Sequence, residues 1–312
     1  MQINRFIATV LVCCLTLACG SNAFAEKSDG KDKNDSAVRA HVLQNTLGTY
    51  CAAPRLKNSR ADIHRLVDEL ADVHANTYSF CIHRAATDWD DLQQFLPLAA
   101  KKGIRVWASV VPPSESPPRN KLYAEPFRLD YQRWAVEFAK LSLRETNLVA
   151  WSIDDFTHNL KFYTPEYVGK MLGAAREINP RLAFVPCCYY KATTPDFVKN
   201  YQPLLDGILF PYRHESGGAN LTDPSLVDSE VARIKSMTGP SFPVLIDVYA
   251  TAHSSLGKST PQYVQQVMTS GKSCADGVLV YCHQDPVLNP EKYQIIKRLF
   301  TLWSGNTESG SR

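Results

Sequence analysis

The sequence predicts an α/β chain folded as a single-domain (βα)8 TIM barrel over residues 45–303. Three observations carry this. Strand-like runs alternate with helix-like runs at intervals of roughly 25–45 residues, the spacing of successive βα units. One helix-start signal recurs five times in the second half. Strand-sized and helix-sized segments each number eight, which, with the right-handed crossover rule, favours a closed barrel over an open doubly wound sheet.

The first strand is expected at 47–51 and its helix at 59–73, with Ile63, Leu66, Val67 and Leu70 on one face. The second strand, 77–82, ends at His83-Arg84. Its helix, 88–102, stops at Gly103, a residue suited to the left-handed position after a helix. The third strand, 104–111, leads into a proline-rich loop, 112–126, of a length that often serves function, and then a helix over 130–144. The fourth strand is Val149-Ala150-Trp151-Ser152-Ile153-Asp154-Asp155-Phe156. Thereafter Thr164-Pro165-Glu166, Thr194-Pro195-Asp196, Asp223-Pro224-Ser225, Thr260-Pro261-Gln262 and Asn289-Pro290-Glu291 share one pattern. A side-chain oxygen caps the helix and proline takes its first position, where no N–H is needed. The matching strands are 182–187, 207–210, 243–248 and 277–282.

The flanks read differently. Arg5, the apolar run 7–18 and Ala23-Phe24-Ala25 form a secretory signal over 1–25 with cleavage near Ala25. Cys19 offers lipid anchoring as the lesser alternative, because the residues before it lack the aliphatic position such a site uses. Residues 26–44 and 304–312 are charged or small and expected to be disordered. The chain is therefore expected to be exported, with no later membrane span. A formal net charge of +3 without a basic run gives nucleic-acid or acidic-membrane binding no support. Outside the leader six cysteines remain, Cys51, Cys81, Cys187, Cys188, Cys274 and Cys282, with no C-x-x-C spacing for zinc. Their bland reading is small buried hydrophobes.

In such barrels the site lies at the C-terminal ends of the strands. Those ends carry His83, Arg84, Asp154, Asp155, Tyr189, Tyr190, Tyr212, Arg213, Glu215, Asp247, Tyr249, His283 and Asp285, whereas the opposite ends are blander. Adjacent carboxylates repel, and cost desolvation if buried unpaired. Strand alternation turns Ala150, Ser152 and Asp154 inward and Trp151 and Ile153 outward, leaving Asp155 at the rim. An enclosed and a rim carboxylate have separated pKa values, one acid and one base. Asp155 as acid with Asp247 or Glu215 as nucleophile or base would suit a glycosidase. The tyrosines supply rings for sugar faces, and His83, Arg84, Arg213, His283 and Asp285 supply polar contacts. The structural alternatives are a capped loop for Asp155, a buried paired carboxylate for Asp247 and a solvated loop charge for Glu215.

The run Ile153-Asp154-Asp155-Phe156 resembles the strand-four ending of barrel β-N-acetylhexosaminidases that use substrate-assisted catalysis, and looks most like the O-GlcNAcase family. The resemblance implies that Asp154 orients an acetamido group whose oxygen attacks the anomeric carbon, and that Asp155 is general acid and then base. It also matches Tyr189 or Tyr190 to the family's tyrosine after strand five. Its strand-two lysine has no counterpart, since His83-Arg84 stands there. The expected function is an exported hydrolase of an oligo- or polysaccharide that needs no metal or cofactor. The alternatives are a catalytically silent carbohydrate-binding barrel and a metal-dependent hydrolase using His83, His253 or His283 with Asp154 and Asp247.

Overall fold

The computed structural model describes residues 34–305. The expected leader, Cys19, the first part of the 26–44 linker and the tail beyond Gly305 lie outside them. The strands are β1 (Thr46–Tyr50), β2 (Thr77–Ile82), β3 (Arg105–Val110), β4 (Leu148–Ile153), β5 (Ala183–Phe184), β6 (Ile208–Pro211), β7 (Val244–Tyr249) and β8 (Gly277–Tyr281). The helices that follow them are α1 (Ile63–Asp72), α2 (Asp88–Lys101), α3 (Tyr131–Arg144), α4 (Pro165–Ile178), α5 (Pro195–Tyr201), α6 (Val227–Thr238), α7 (Pro261–Cys274) and α8 (Pro290–Gly305). All eight strands are parallel in the order β5-β4-β3-β2-β1-β8-β7-β6. A parallel bridge between Cys187 and Leu209 joins the two outer strands, so the sheet closes into the TIM barrel that the sequence predicts. Among the described residues no helix is long and apolar enough to cross a membrane.

Strand alternation divides the core in two. Tyr78, Phe80, Val106, Trp151, Ile153, Phe184, Ile246 and Val280 point outward into the layer under the helices. Trp107, Ala150, Ala183, Leu209, Leu245 and Leu279 fill the barrel itself, with Leu43 among them. β1 and β2 pack closely at Gly48, where a Cβ would stand 2.6 Å from the Thr77 carbonyl oxygen.

Four expectations need correction. The described part of the 26–44 linker is not disordered. Residues 34–41 are helical, and the Arg39 guanidinium donates to Asp206 at 2.7 Å and to the Pro180 carbonyl at 2.5 Å. Charged composition hid a segment held by two long-range ion pairs, Arg39 with Asp206 and Asp35 with Arg181 at 3.8 Å. Ser304 likewise belongs to α8 rather than to a tail. Asp223-Pro224 does not start a helix, because the Asp223 carboxylate accepts from the Ser225 amide at 2.8 Å in a local turn, and α6 begins at Val227 without a side-chain cap. The other four proline starts hold. Thr164, Thr194 and Thr260 each accept the amide three residues on. The fifth strand is shorter than the expected 182–187, because Pro186 has no N–H for the ladder. Val185 and Cys187 still donate to β4 carbonyls.

Candidate active site at the barrel mouth

β4 delivers the two central carboxyls. Asp154 continues its inward face and Asp155 turns away in a left-handed conformation, φ 44°. The chain then enters a short 3₁₀ turn, Phe156–Asn159, whose Asn159 side chain is tied to Ser114 of the loop after β3. Burial pushes the Asp154 carboxyl up to about 7, with the charges of Asp155 and then Cys51 adding to it. Asp155 accepts the Tyr189 hydroxyl, and His158 Nδ1 lies 3.8 Å from its carboxylate. The Tyr189 ring is clamped, with His158 stacked at 4.1 Å on one contact and the Arg213 guanidinium 3.9 Å from its centroid.

Below the pair lies Asp247, fully buried on β7. Tyr50 donates to its Oδ2 at 2.7 Å, and its Oδ1 has no partner. Burial raises its carboxyl well above the usual range, against the Tyr50 hydrogen bond, and Asp154 adds to the rise. Tyr50, Tyr281 and Tyr249 form a contiguous aromatic group beside it, with centroids 5.0 and 5.3 Å apart. Cys51 holds φ 59° directly after β1. Its thiol is within hydrogen-bonding reach of those of Cys282 and Cys81, which hold it well below the ordinary thiol range, and Arg84 Nη2 approaches its sulfur to 4.0 Å.

Several expected site residues are engaged by neighbours within the fold. Both oxygens of Glu215 are engaged, one by Arg213 Nε at 2.9 Å and the other by the Lys191 amide at 3.0 Å. His283 is spanned by Thr49 at 2.9 Å and Glu69 at 3.0 Å. Asp285 pairs with Arg65 at 2.6 Å. Tyr190 lies under Arg233 and against Phe210, and the fully buried Tyr212 donates to the Asp223 carbonyl. The mouth therefore assembles Asp154, Asp155, Asp247, Tyr189, Arg213 and Tyr249. His83 and Arg84 sit at its edge, where the Asp88 carboxylate accepts the amides of His83, Arg84 and Ala85 at 2.7–3.0 Å. Burial lowers the His83 imidazole, whose Nδ1 has no partner.

Sequence reasoning missed Tyr50, Cys51, Cys187 and His158. Tyr50 and Cys51 end the first strand as visibly as Asp154 ends the fourth, so strand-end position alone could have found them. Cys187 stands inward from the short fifth strand. A ligand atom from each of Asp154, Asp155 and Cys187 lies within 4.8 Å of the others, spacing that suits a cation. The expected histidine–aspartate metal grouping does not assemble, since His283 is occupied and His253 sits in a small hairpin with its Nδ1 bonded to Ser255.

No family model and no curated protein matches the chain. Solved structures match its fold. A β-galacturonidase from Eisenbergiella tayi is 12% identical with a TM-score of 0.56, and a β-D-glucuronidase from Dictyoglomus thermophilum is 12% identical with a TM-score of 0.52. The match takes in 83% of this chain against both, but only 51% and 50% of those chains, so it spans about half their length. The catalytic domain of Thermobifida fusca endoglucanase Cel5A is 12% identical with a TM-score of 0.57, over 83% of this chain and 92% of that one. These barrels carry glycosidase names, and none of them supports the resemblance to O-GlcNAcases. At this identity the chain shares their fold.

Proposed function

We propose that the chain is an exported glycoside hydrolase acting on an oligo- or polysaccharide, with Asp154 and Asp155 as its acid/base centre. The carrying observation is that neighbouring carboxyls occupy unlike surroundings. Asp154, half-buried on the inward face of β4, keeps its proton up to about pH 7, whereas Asp155, also half-buried, turns away in a left-handed conformation and accepts the Tyr189 hydroxyl. Glycosidic cleavage needs a proton delivered to the departing oxygen while the C–O bond breaks, and a carboxylate to take a proton from the incoming water. Asp154 suits the first role, with Asp155 beside it holding its proton through their repulsion. That order reverses the one implied by the family resemblance. The glycosidase names of barrels with the same fold agree with the reaction class, and the tyrosines of the mouth suit a sugar face.

The pair is too close for its members to flank a scissile bond, which needs carboxyls roughly 5 Å or more apart across the sugar. A second carboxylate must come from elsewhere. Asp247 is the candidate, and it is covered by Tyr50. This burial is also the observation that favours a second reading, a carbohydrate-binding barrel without turnover. Hydrolysis of a panel of chromogenic glycosides by wild type, Asp154→Asn and Asp155→Asn separates the two. A hydrolase loses about 10²-fold or more of kcat with either substitution while its circular dichroism is unchanged. Hydrolysis that survives both substitutions would sink the assignment, and sugar binding without any turnover would establish the binding barrel. Activity abolished by chelator would instead identify a cation held by Asp154, Asp155 and Cys187.

A further inference from the structure

The loop after β3 and the end of β2 form an open cavity of about 400 Å³ lined by His83, Arg84 and the exposed Arg119, Asn120, Lys121 and Leu122. Its wall holds three permanent cations and no acid. Among the described residues no carboxylate comes within ion-pairing distance of Arg84, Arg119 or Lys121, although most arginines of this chain have one. Asn120 is turned to Glu115, donating to its carboxylate at 3.0 Å. The cavity is linked to the acid pair by two contacts. Arg84 Nη2 lies 4.0 Å from the Cys51 sulfur at the end of β1, and Ser114 of the loop after β3 is bonded to Asn159 of the turn that follows Asp155. On the other side of Asp155 a second cavity of about 460 Å³ is lined by His158, Tyr189, Lys191, Arg213 and Glu215. It carries one more cation than anion.

We infer that the mouth takes an anionic saccharide, with a carboxylate or sulfate group seated in the cavity of Arg84, Arg119 and Lys121 beside the acid pair. Three cations without a carboxylate partner, lining one cleft, favour an anionic ligand over a neutral one. Arginine's planar fork binds carboxylate and sulfate oxygens in pairs. Arg84 is presented for this because Asp88 fixes its backbone. Arg84 stands 35 residues before Arg119 and joins Arg119 and Lys121 only in the fold, so no basic run marks the three.

This inference deepens the glycosidase reading and rests on it for the neighbouring acid pair, but its test reads binding and not turnover. Isothermal titration is performed on the Asp155→Asn chain with a tri-galacturonate, its methyl ester, a sulfated trisaccharide and cellotriose. The expected result is binding of the uronate or the sulfated sugar, with the better of the two naming the charged group. Loss to the ester or to cellotriose is expected to be at least tenfold. Arg84→Gln and Lys121→Gln each weaken it roughly tenfold, the worth of one charge-assisted hydrogen bond. Lys102→Gln, exposed at the opposite end of the barrel, leaves it unchanged. Equal binding of charged and neutral sugars, no binding of either charged sugar, unaltered affinity in the Arg84 and Lys121 variants, or equal weakening by Lys102→Gln would overturn the inference. Charged binding by a chain that never hydrolyses a glycoside would keep it and remove only the catalytic reading.

Discussion

Asp154 and Asp155 share a peptide bond but not an environment, and the difference has a measurable sign. Asp154 is ordinary in the unfolded chain, near pH 4, and about 7 when folded. The folded protein therefore binds more protons than the unfolded one between those values, and its stability falls as pH rises through that window. Above about 7 the deficit is constant. Asp154→Asn removes the charge and keeps the shape. It should leave Tm nearly unchanged at pH 4 and raise it by a few degrees at pH 8, while abolishing the proposed acid. A Tm difference that stays flat from pH 4 to 8 would show that Asp154 has no raised pKa. The inward placement of this residue was legible in advance, because Ala150, Ser152 and Asp154 alternate with Trp151 and Ile153 on a regular strand. Tyr190 and Tyr212 were misplaced because each follows the end of a short strand, where period two no longer governs which way a side chain turns. Pairings across the fold, such as Glu215 with Arg213 or His283 with Glu69, decide whether a polar residue is a tool or a brace, and spacing along the chain does not record them.

At the scale of elements, the helix starts were the most legible feature because a cap is a local event. A threonine, a proline and the next turn suffice. Asp223-Pro224 has the same letters, yet the aspartate closes a turn on Ser225 first. The helical segment 34–41 was illegible for the opposite reason. Its apolar content is low, and its attachments are Arg39 to the buried Asp206 and Asp35 to Arg181. Asp206 also accepts from the Phe184 amide at 2.9 Å and from Arg176 at 3.2 Å, so one carboxylate joins this segment, α4 and β5. Asp206→Ala leaves a buried guanidinium and an amide unpaired and should cost about 3–5 kcal/mol in urea unfolding. Arg39→Ala, which removes one partner and spares the amide, should cost less. A loss below about 1 kcal/mol for Asp206→Ala, the range of an exposed pair, would show that the clamp does not bear on the fold.

Over the whole molecule the barrel is not uniform around its circumference. β2 and β3 are registered over six residue pairs, whereas β5 and β6 meet through one bridge and a few amide bonds, Cys188 to the Leu209 carbonyl at 2.8 Å and Leu209 to the Pro186 carbonyl at 3.0 Å. The closure of the barrel was predictable from the count of units, but the weakness of this seam was not, since it comes from Pro186 and from a strand only two residues long. Local opening free energy follows the number of bonds and buried contacts that must break. Under native conditions hydrogen exchange should therefore be faster at 183–188 and 206–210 than at 77–82 and 105–110. The seam also carries Tyr189, which anchors Asp155, so a sugar held at the mouth should slow exchange at 183–188 as well as at the end of β2, where its charged group sits. Uniform protection around the barrel would mean that the closing bridge is as strong as the registered strands. Slowing at the end of β2 with none at the seam would place the ligand away from the Asp155–Tyr189 edge and detach the carboxylate pair from the bound sugar.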